Sequence, residues 1–212
     1  MISLSGLHLS DRIDIKRRRV DLAEIVFSDH LANGSGFTQW FAENLASVLS
    51  DATNTNPPET SFMGGLIATS HRSRCDSSCY DCLRQYRNMN YHGLLDWRLG
   101  LATVRMLASD TTRCGIDGNF ALPEVDGWLA WTRVLRDAFV LSFAGTSRDF
   151  ADLPGCVFGS KQVIFVHPLW DCERPSQLLA DAISAADQTR EIRFLDTFNV
   201  VRRPSFAYQA LR

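Results

Sequence analysis

Three cysteines fall within eight residues of this chain, Cys75, Cys79 and Cys82, and arginines flank them on both sides. No other feature limits the fold as tightly. The spacing is C-x3-C-x2-C, and its C-x2-C half lets the chain curl until both sulfurs reach one ion. A C-x2-C pair alone also suits redox chemistry, but three close thiols in a reducing compartment favour zinc, which takes four nitrogen or sulfur ligands in a tetrahedron. The fourth ligand is open on spacing. His71, four residues before Cys75, is the nearest candidate, with His92 and Cys114 as alternatives. An iron–sulfur cluster takes four thiolates, and the remaining cysteines are distant in sequence. Four protein ligands close a site and make it structural. A catalytic zinc keeps one position open and works with a carboxylate base. Asp76 and Asp81 lie between the cysteines, yet no H-x-E or H-E-x-x-H motif is present, which excludes the deaminase pattern.

The compartment is inferred from what the rest of the chain carries. The N-terminal stretch MISLSGLHLSDRIDIKRRRV has no long apolar core, and its basic run follows its apolar part, so it does not read as a secretory signal. No run approaches the roughly 18–20 apolar residues of a membrane span. A cytoplasmic protein with reduced cysteines and no membrane partner is therefore expected. With 212 residues, 45% hydrophobic and 22% charged, the chain can bury a true core. Its net charge of −2 and pI near 6.2 argue against autonomous high-affinity DNA binding, so any positive face must be local. Lys16 to Arg19 form one basic run, read mainly as a solvated surface.

Periodicity places the elements. Residues 21–29 read as a strand or short helix. Phe37, Trp40, Phe41, Leu45, Val48 and Leu49 draw one helical stripe, with Ser35 or Gly36 at the N-cap. Residues 50–61 are a polar loop with two prolines. Residues 92–108 read as a second amphipathic helix whose polar side carries Arg98 and Arg105. The turn-rich stretch 109–119 is the candidate boundary between a zinc-binding part, 1–115, and a C-terminal part, 116–212. The latter reads as a helix at 125–143, a hairpin about Gly159 and Ser160, a helix at 176–187 and a strand at 192–201. The fold class is therefore α+β, a helical zinc knuckle followed by a small α/β layer.

The segments FSDHLANGSGF and CDSSCYDCLRQYRNMNYHGLLDWRLGL together resemble the zinc-binding C-terminal domain of MrfA-type DNA-repair helicases, found also in helicases and helicase-linked proteins of antiphage defence. The shared elements are the D-x-L-x-N-G-x-G-F loop, the knuckle, C-L-x-x-Y-x-N and H-x-x-L-D-W, over about residues 24–107. The resemblance implies that Cys75, Cys79 and Cys82 bind Zn²⁺. The repair branch has a further cysteine where this chain has Ser73; the variant with a slightly earlier histidine puts His71 in the fourth place. The resemblance also implies a helicase or ATPase partner. This chain has no G-x-x-x-x-G-K-[ST] loop, since GSG at 34–36 runs into Phe37 and Thr38, so it is no ATPase by itself. The tail VHPLWD…FLDTFNVVRRPSFAYQAL resembles extensions that follow this domain in the defence proteins.

The remaining candidates are weighed singly. Glycines in LANGSGF either offer backbone N–H groups to a phosphate or make a tight turn, the latter favoured. Asn88 and His92 are expected to tie down the knuckle, and Asp96 and Trp97 to serve as scaffold. Arg72, Arg74, Arg84 and Arg87 ring the knuckle as a nucleic-acid contact or a face for a protein partner. His167 lies four residues before Asp171 but has no nucleophile paired with it in sequence. The helix, hairpin, helix, strand order also resembles the core of restriction-type nucleases. That core holds Mg²⁺ through an acid followed by acid-x-Lys, whereas Gly159 stands two before Lys161 here, so the resemblance is to a degenerate core. The expected function is a non-catalytic zinc-binding accessory module of a DNA-processing complex, in repair or antiviral defence, touching DNA weakly by itself. The alternatives are a metal-dependent nuclease in the C-terminal part and a pure protein–protein adaptor.

Overall fold

The computed structural model describes residues 3–4, 27–28 and 34–211. The chain divides into two compact units, 1–51 and 52–212. The position 115/116 falls inside the second, which holds both the knuckle and the sheet. The basic run at Lys16 to Arg19 lies outside the described residues.

In the first unit, β1 (Ser3–Leu4) pairs antiparallel with β2 (Phe27–Ser28), with Ser3 opposite Ser28. Within residues 21–29, Phe27 and Ser28 are thus strand. The helix expected from Phe37 onward is two helices, α1 (Phe37–Glu43) and α2 (Leu45–Thr53). Asn44 breaks it: its backbone sits at φ −111°, ψ 13°. Its side-chain amide and its backbone N–H both donate to the carbonyl of Trp40, at 2.8 and 3.0 Å. An asparagine that satisfies the backbone locally competes with helix continuation. Neither helix buries a side chain.

The second unit opens with short helices. Ser61 caps α3 (Phe62–Ile67) by accepting the Gly64 N–H at 3.0 Å, and α4 (Thr69–Arg72) follows. Residues 73–85 form the knuckle loop, and a 3-10 segment spans Tyr86–Tyr91. The next helix begins later than its apolar pattern suggested: α5 covers Trp97–Ala108, because Asp96 caps it by accepting from the N–H groups of Arg98 and Leu99. Leu66, Cys75, Trp97 and Leu101 make the small core that joins α3, α5 and the knuckle.

The polar side of α5 is not solvated. Arg105 is buried in an ion pair with Glu124 at 2.8 Å, and Arg98 donates to the carbonyl of Pro123 at 2.7 Å. Residues 122–126 cover that side of the helix.

The sheet follows α6 (Trp128–Phe143). It comprises β3 (Thr146–Phe150), β4 (Leu153–Phe158), β5 (Lys161–Val166) and β6 (Glu191–Asp196), in that spatial order. β3, β4 and β5 form an antiparallel meander, with Phe158 opposite Lys161 across the hairpin turn. β6 runs parallel to β5, and α7 (Gln177–Ala185) makes the crossover that a parallel pair requires. Successive residues of β5 serve opposite faces: Ile164 and Val166 pack with Trp128, Phe150 and Leu179, while Val163 and Phe165 pack with Phe139, Leu195 and Val200. Burial on both faces explains the continuous apolar run of this strand. The chain ends in α8 (Thr197–Arg202) and α9 (Pro204–Gln209).

The architecture is α+β as expected, with two differences in the sheet layer. β3 adds a strand to the predicted hairpin. The predicted strand at 192–201 stops at Asp196, whose carboxylate accepts the Asn199 N–H at 2.8 Å and starts α8. Among the described residues, no helix is long and apolar enough to cross a membrane.

Candidate metal centre

Four side chains converge at the end of α4. The ligand atoms of His71, Cys75, Cys79 and Cys82 all lie within 4.8 Å of one another. The sulfurs of Cys75 and Cys82 are 3.8 Å apart and those of Cys79 and Cys82 3.6 Å; Cys79 Sγ stands 3.5 Å from His71 Nε2. Thiolates about 2.3 Å from a tetrahedral zinc would stand about 3.8 Å from each other. The donor set and its spacing therefore fit a zinc ion.

Local structure explains the convergence. α4 presents His71 in its last turn, and Cys75 N–H donates back to the His71 carbonyl at 3.0 Å, closing one further turn. The Cys79 N–H donates to Cys82 Sγ at 3.1 Å, the amide-to-sulfur contact that a C-x2-C curl permits. His71 Nδ1 lies 2.7 Å from the Leu66 carbonyl. A carbonyl only accepts, so Nδ1 carries the hydrogen and Nε2 turns its lone pair toward the space among the sulfurs. From α5, the Trp97 indole donates to the Cys75 carbonyl at 3.2 Å and its ring lies 5.6 Å from that of His71.

The electrostatics ask for a cation. Burial, helped by the neighbouring thiols of Cys79 and Cys82, pushes the Cys75 thiol up to about 12. Burial also raises Cys82. Burial works the same way on Cys79, but hydrogen bonds from the Asp81 backbone and the adjacent thiols outweigh it, and its pKa falls. Three thiolates this close repel unless a positive charge sits among them.

The alternatives for the fourth ligand lie elsewhere. His92 Nε2 faces the Gln85 carbonyl at 3.0 Å and Asn88 Oδ1 at 2.9 Å. Asn88 in turn donates to the Leu83 carbonyl and accepts the Gln85 N–H. These two residues tie down the loop. Cys114 is buried with Ala102 and Val125 in a separate core.

The arginines divide. Arg72 is drawn to Asp126 at 2.5 Å. Among the described residues, Arg74, Arg84 and Arg87 bond only to uncharged groups, the Ser70 carbonyl, Ser78 Oγ and Gln85 Oε1. Sequence gave no sign of the Asp126 contact, 54 residues away, nor of Leu66, which acts through its backbone carbonyl.

The other candidates fall as follows. Asp171 pairs with Arg174 at 2.8 Å, while His167 Nδ1 accepts the Leu169 N–H at 3.3 Å. His167 lines a cleft of about 570 Å³ together with Asp96, Arg98, Trp128, Trp131 and Arg202. Lys161 donates to the Leu211 carbonyl at 2.5 Å and lies 3.5 Å from Glu191. Gly34 and Gly36 take φ of 71° and 73°, the left-handed conformation a tight turn before α1 demands. No family model, curated protein or solved structure matches the chain.

Proposed function

We propose that this chain is a non-catalytic, zinc-binding accessory module of a cytoplasmic DNA-processing complex, acting beside a helicase or ATPase subunit in repair or antiphage defence. One observation carries the reading: three thiols and one imidazole at tetrahedral spacing, with the imidazole's second nitrogen fixed on a backbone carbonyl. Four protein donors leave no position for substrate, so the ion acts as a cross-link. It ties α4 and the knuckle loop into one body, with α5 held on it through Trp97. The arginines with uncharged partners, Arg74, Arg84 and Arg87, form the part of the surface offered to nucleic acid, and Arg72 belongs to the Asp126 contact. The motor activity comes from the partner, because the sequence holds no phosphate-binding loop.

The test is elemental analysis with activity assays on the same purified protein. One zinc per chain, no ATP hydrolysis and no cutting of plasmid DNA with Mg²⁺ or Mn²⁺ are the expected results. Metal-dependent cutting that follows the protein peak would establish the nuclease alternative instead. Absence of zinc, or iron in its place, would overturn the module reading.

A further inference from the structure

Three tyrosines of the knuckle segment are largely exposed. Tyr80, Tyr86 and Tyr91 are 68%, 85% and 61% exposed. Tyrosine joins an apolar ring to a polar hydroxyl, which suits it to contact surfaces. These three lie in one stretch, 80–91. The His92 ring packs edge-on against Tyr80 at 5.6 Å. Its Nε2 meets the carbonyl of Gln85, the residue before Tyr86, and Tyr91 is its own neighbour in the chain. His92, absent from the metal cluster, thus touches the Tyr80 ring and the backbone just before Tyr86, and is next to Tyr91 in the chain.

From Arg74 to Tyr91 arginines outnumber the carboxylates, Asp76 and Asp81. Arg84 and Arg87 lie between Tyr80 and Tyr91 in the chain, and Arg74 lies just before the knuckle. Among the described residues none of these three forms an ion pair, whereas Arg72, Arg105, Arg133, Arg136 and Arg202 each pair with a carboxylate. Arg74 and Arg87 are exposed. The backbone beneath is held from both ends, by the metal cluster at Cys79 and Cys82 and by the Asn88–His92 contacts.

We propose that this face is a stacking platform for single-stranded nucleic acid, with Tyr80, Tyr86 and Tyr91 offering ring faces to successive bases and Arg74, Arg84 and Arg87 meeting the phosphates. Unpaired bases expose π-faces that a duplex keeps inside, and a strand-tracking site combines aromatic stacking with cationic side chains. A protein partner fits less well. Tyrosine and arginine are also enriched at protein hot spots, but among the described residues Arg74, Arg84 and Arg87 bond to uncharged groups and are not paired with a carboxylate, which favours a polyanion. The inference rests on the nucleic-acid contact assigned above and adds the strandedness and the groups that read it.

The test is fluorescence anisotropy with the full chain and three labelled probes: a 20-nucleotide single strand, the matching duplex, and the same single strand with abasic sites at its centre, each at two salt concentrations. The expected result is tighter binding to the intact strand than to the duplex or the abasic strand. Tyr86→Leu with Tyr91→Leu should lower affinity for the intact strand by about tenfold or more and leave its salt slope unchanged. Arg84→Ala with Arg87→Ala should flatten the salt slope. Zinc content and melting temperature confirm that the variants are folded, and the abasic strand tests stacking on the parent protein alone. Equal binding to all three probes, still sensitive to the arginine pair, would overturn the platform and leave the nucleic-acid contact standing. No binding to any probe at low salt would overturn both and pass this face to a protein partner.

Discussion

The imidazole of His71 gives its Nδ1–H to the carbonyl of Leu66 at 2.7 Å, and this contact decides which nitrogen faces the three sulfurs. The hydrogen bond orients the ring and raises the basicity of Nε2. His71→Ala should weaken zinc retention by at least about a hundredfold, read as faster transfer to a colorimetric chelator. His71→Cys, which restores a fourth sulfur donor, should retain the ion. Cys79→Ser should lower the melting temperature only in zinc-loaded protein, because the ion contributes directly to folding free energy.

Arg105 and Glu124 form a buried pair, their side chains 5% and 1% exposed. Burial raises the Glu124 carboxyl, and the Arg105 charge opposes that rise. Glu124→Gln leaves a buried guanidinium without its counter-charge and should cost about 3–5 kcal/mol. The double replacement Arg105→Met with Glu124→Leu should recover most of that loss. Denaturant midpoints for the three proteins check both statements.

His167 supplies a pH dependence. Burial drives its pKa from 6.5 down to about 4. Between these values the unfolded chain binds a proton that the folded chain refuses. Stability therefore rises with pH across the window and is lost as pH falls from 6.5 towards 4, by about 3 kcal/mol at most. His167→Gln should flatten the stability profile between pH 6.5 and 4. An unchanged slope in that variant would assign the acid sensitivity to other groups.

Two adjacent glycines of α3 should behave oppositely. A methyl group on Gly64 would sit 2.0 Å from the Pro58 carbonyl oxygen, so Gly64→Ala should destabilise by roughly 1–3 kcal/mol or displace the loop. Nothing lies within 4 Å of the same position on Gly65, and Gly65→Ala should gain up to about 1 kcal/mol from helix propensity. Thermal melts of the two variants give the comparison.

The sequence made the three thiols of the cluster legible because their spacing is local, while spacing left the fourth donor open among His71, His92 and Cys114. The same holds for α6, α7 and the hairpin of β4 and β5, whose periodicity is strong. What escaped depends on partners distant in sequence. Arg105 sits where a helix wheel puts solvent, and only the fold brings Glu124 over it. β3, TSRDF, buries only its last residue and has no apolar alternation to betray it. α5 reads as starting at His92, since Leu94 and Leu95 continue its stripe, but the Asp96 cap sets the start at Trp97. Asn44 carried the signal for its break, a residue type that bonds its own backbone, inside a stripe that otherwise ran on.

Among the described residues β3 is an outer strand of the sheet, paired on one side only. Such a strand invites addition by any extended chain, including a second copy. Here its middle is charged, with Arg148 and Asp149 side by side, and Arg133 and Arg136 of α6 both grip Asp149. A newcomer would have to lie along a row of fixed charges whose helix holds the strand in place. The ion pairs of α6 thereby set fixed charge along the sheet's open margin, the kind of edge that disfavours addition of a further strand.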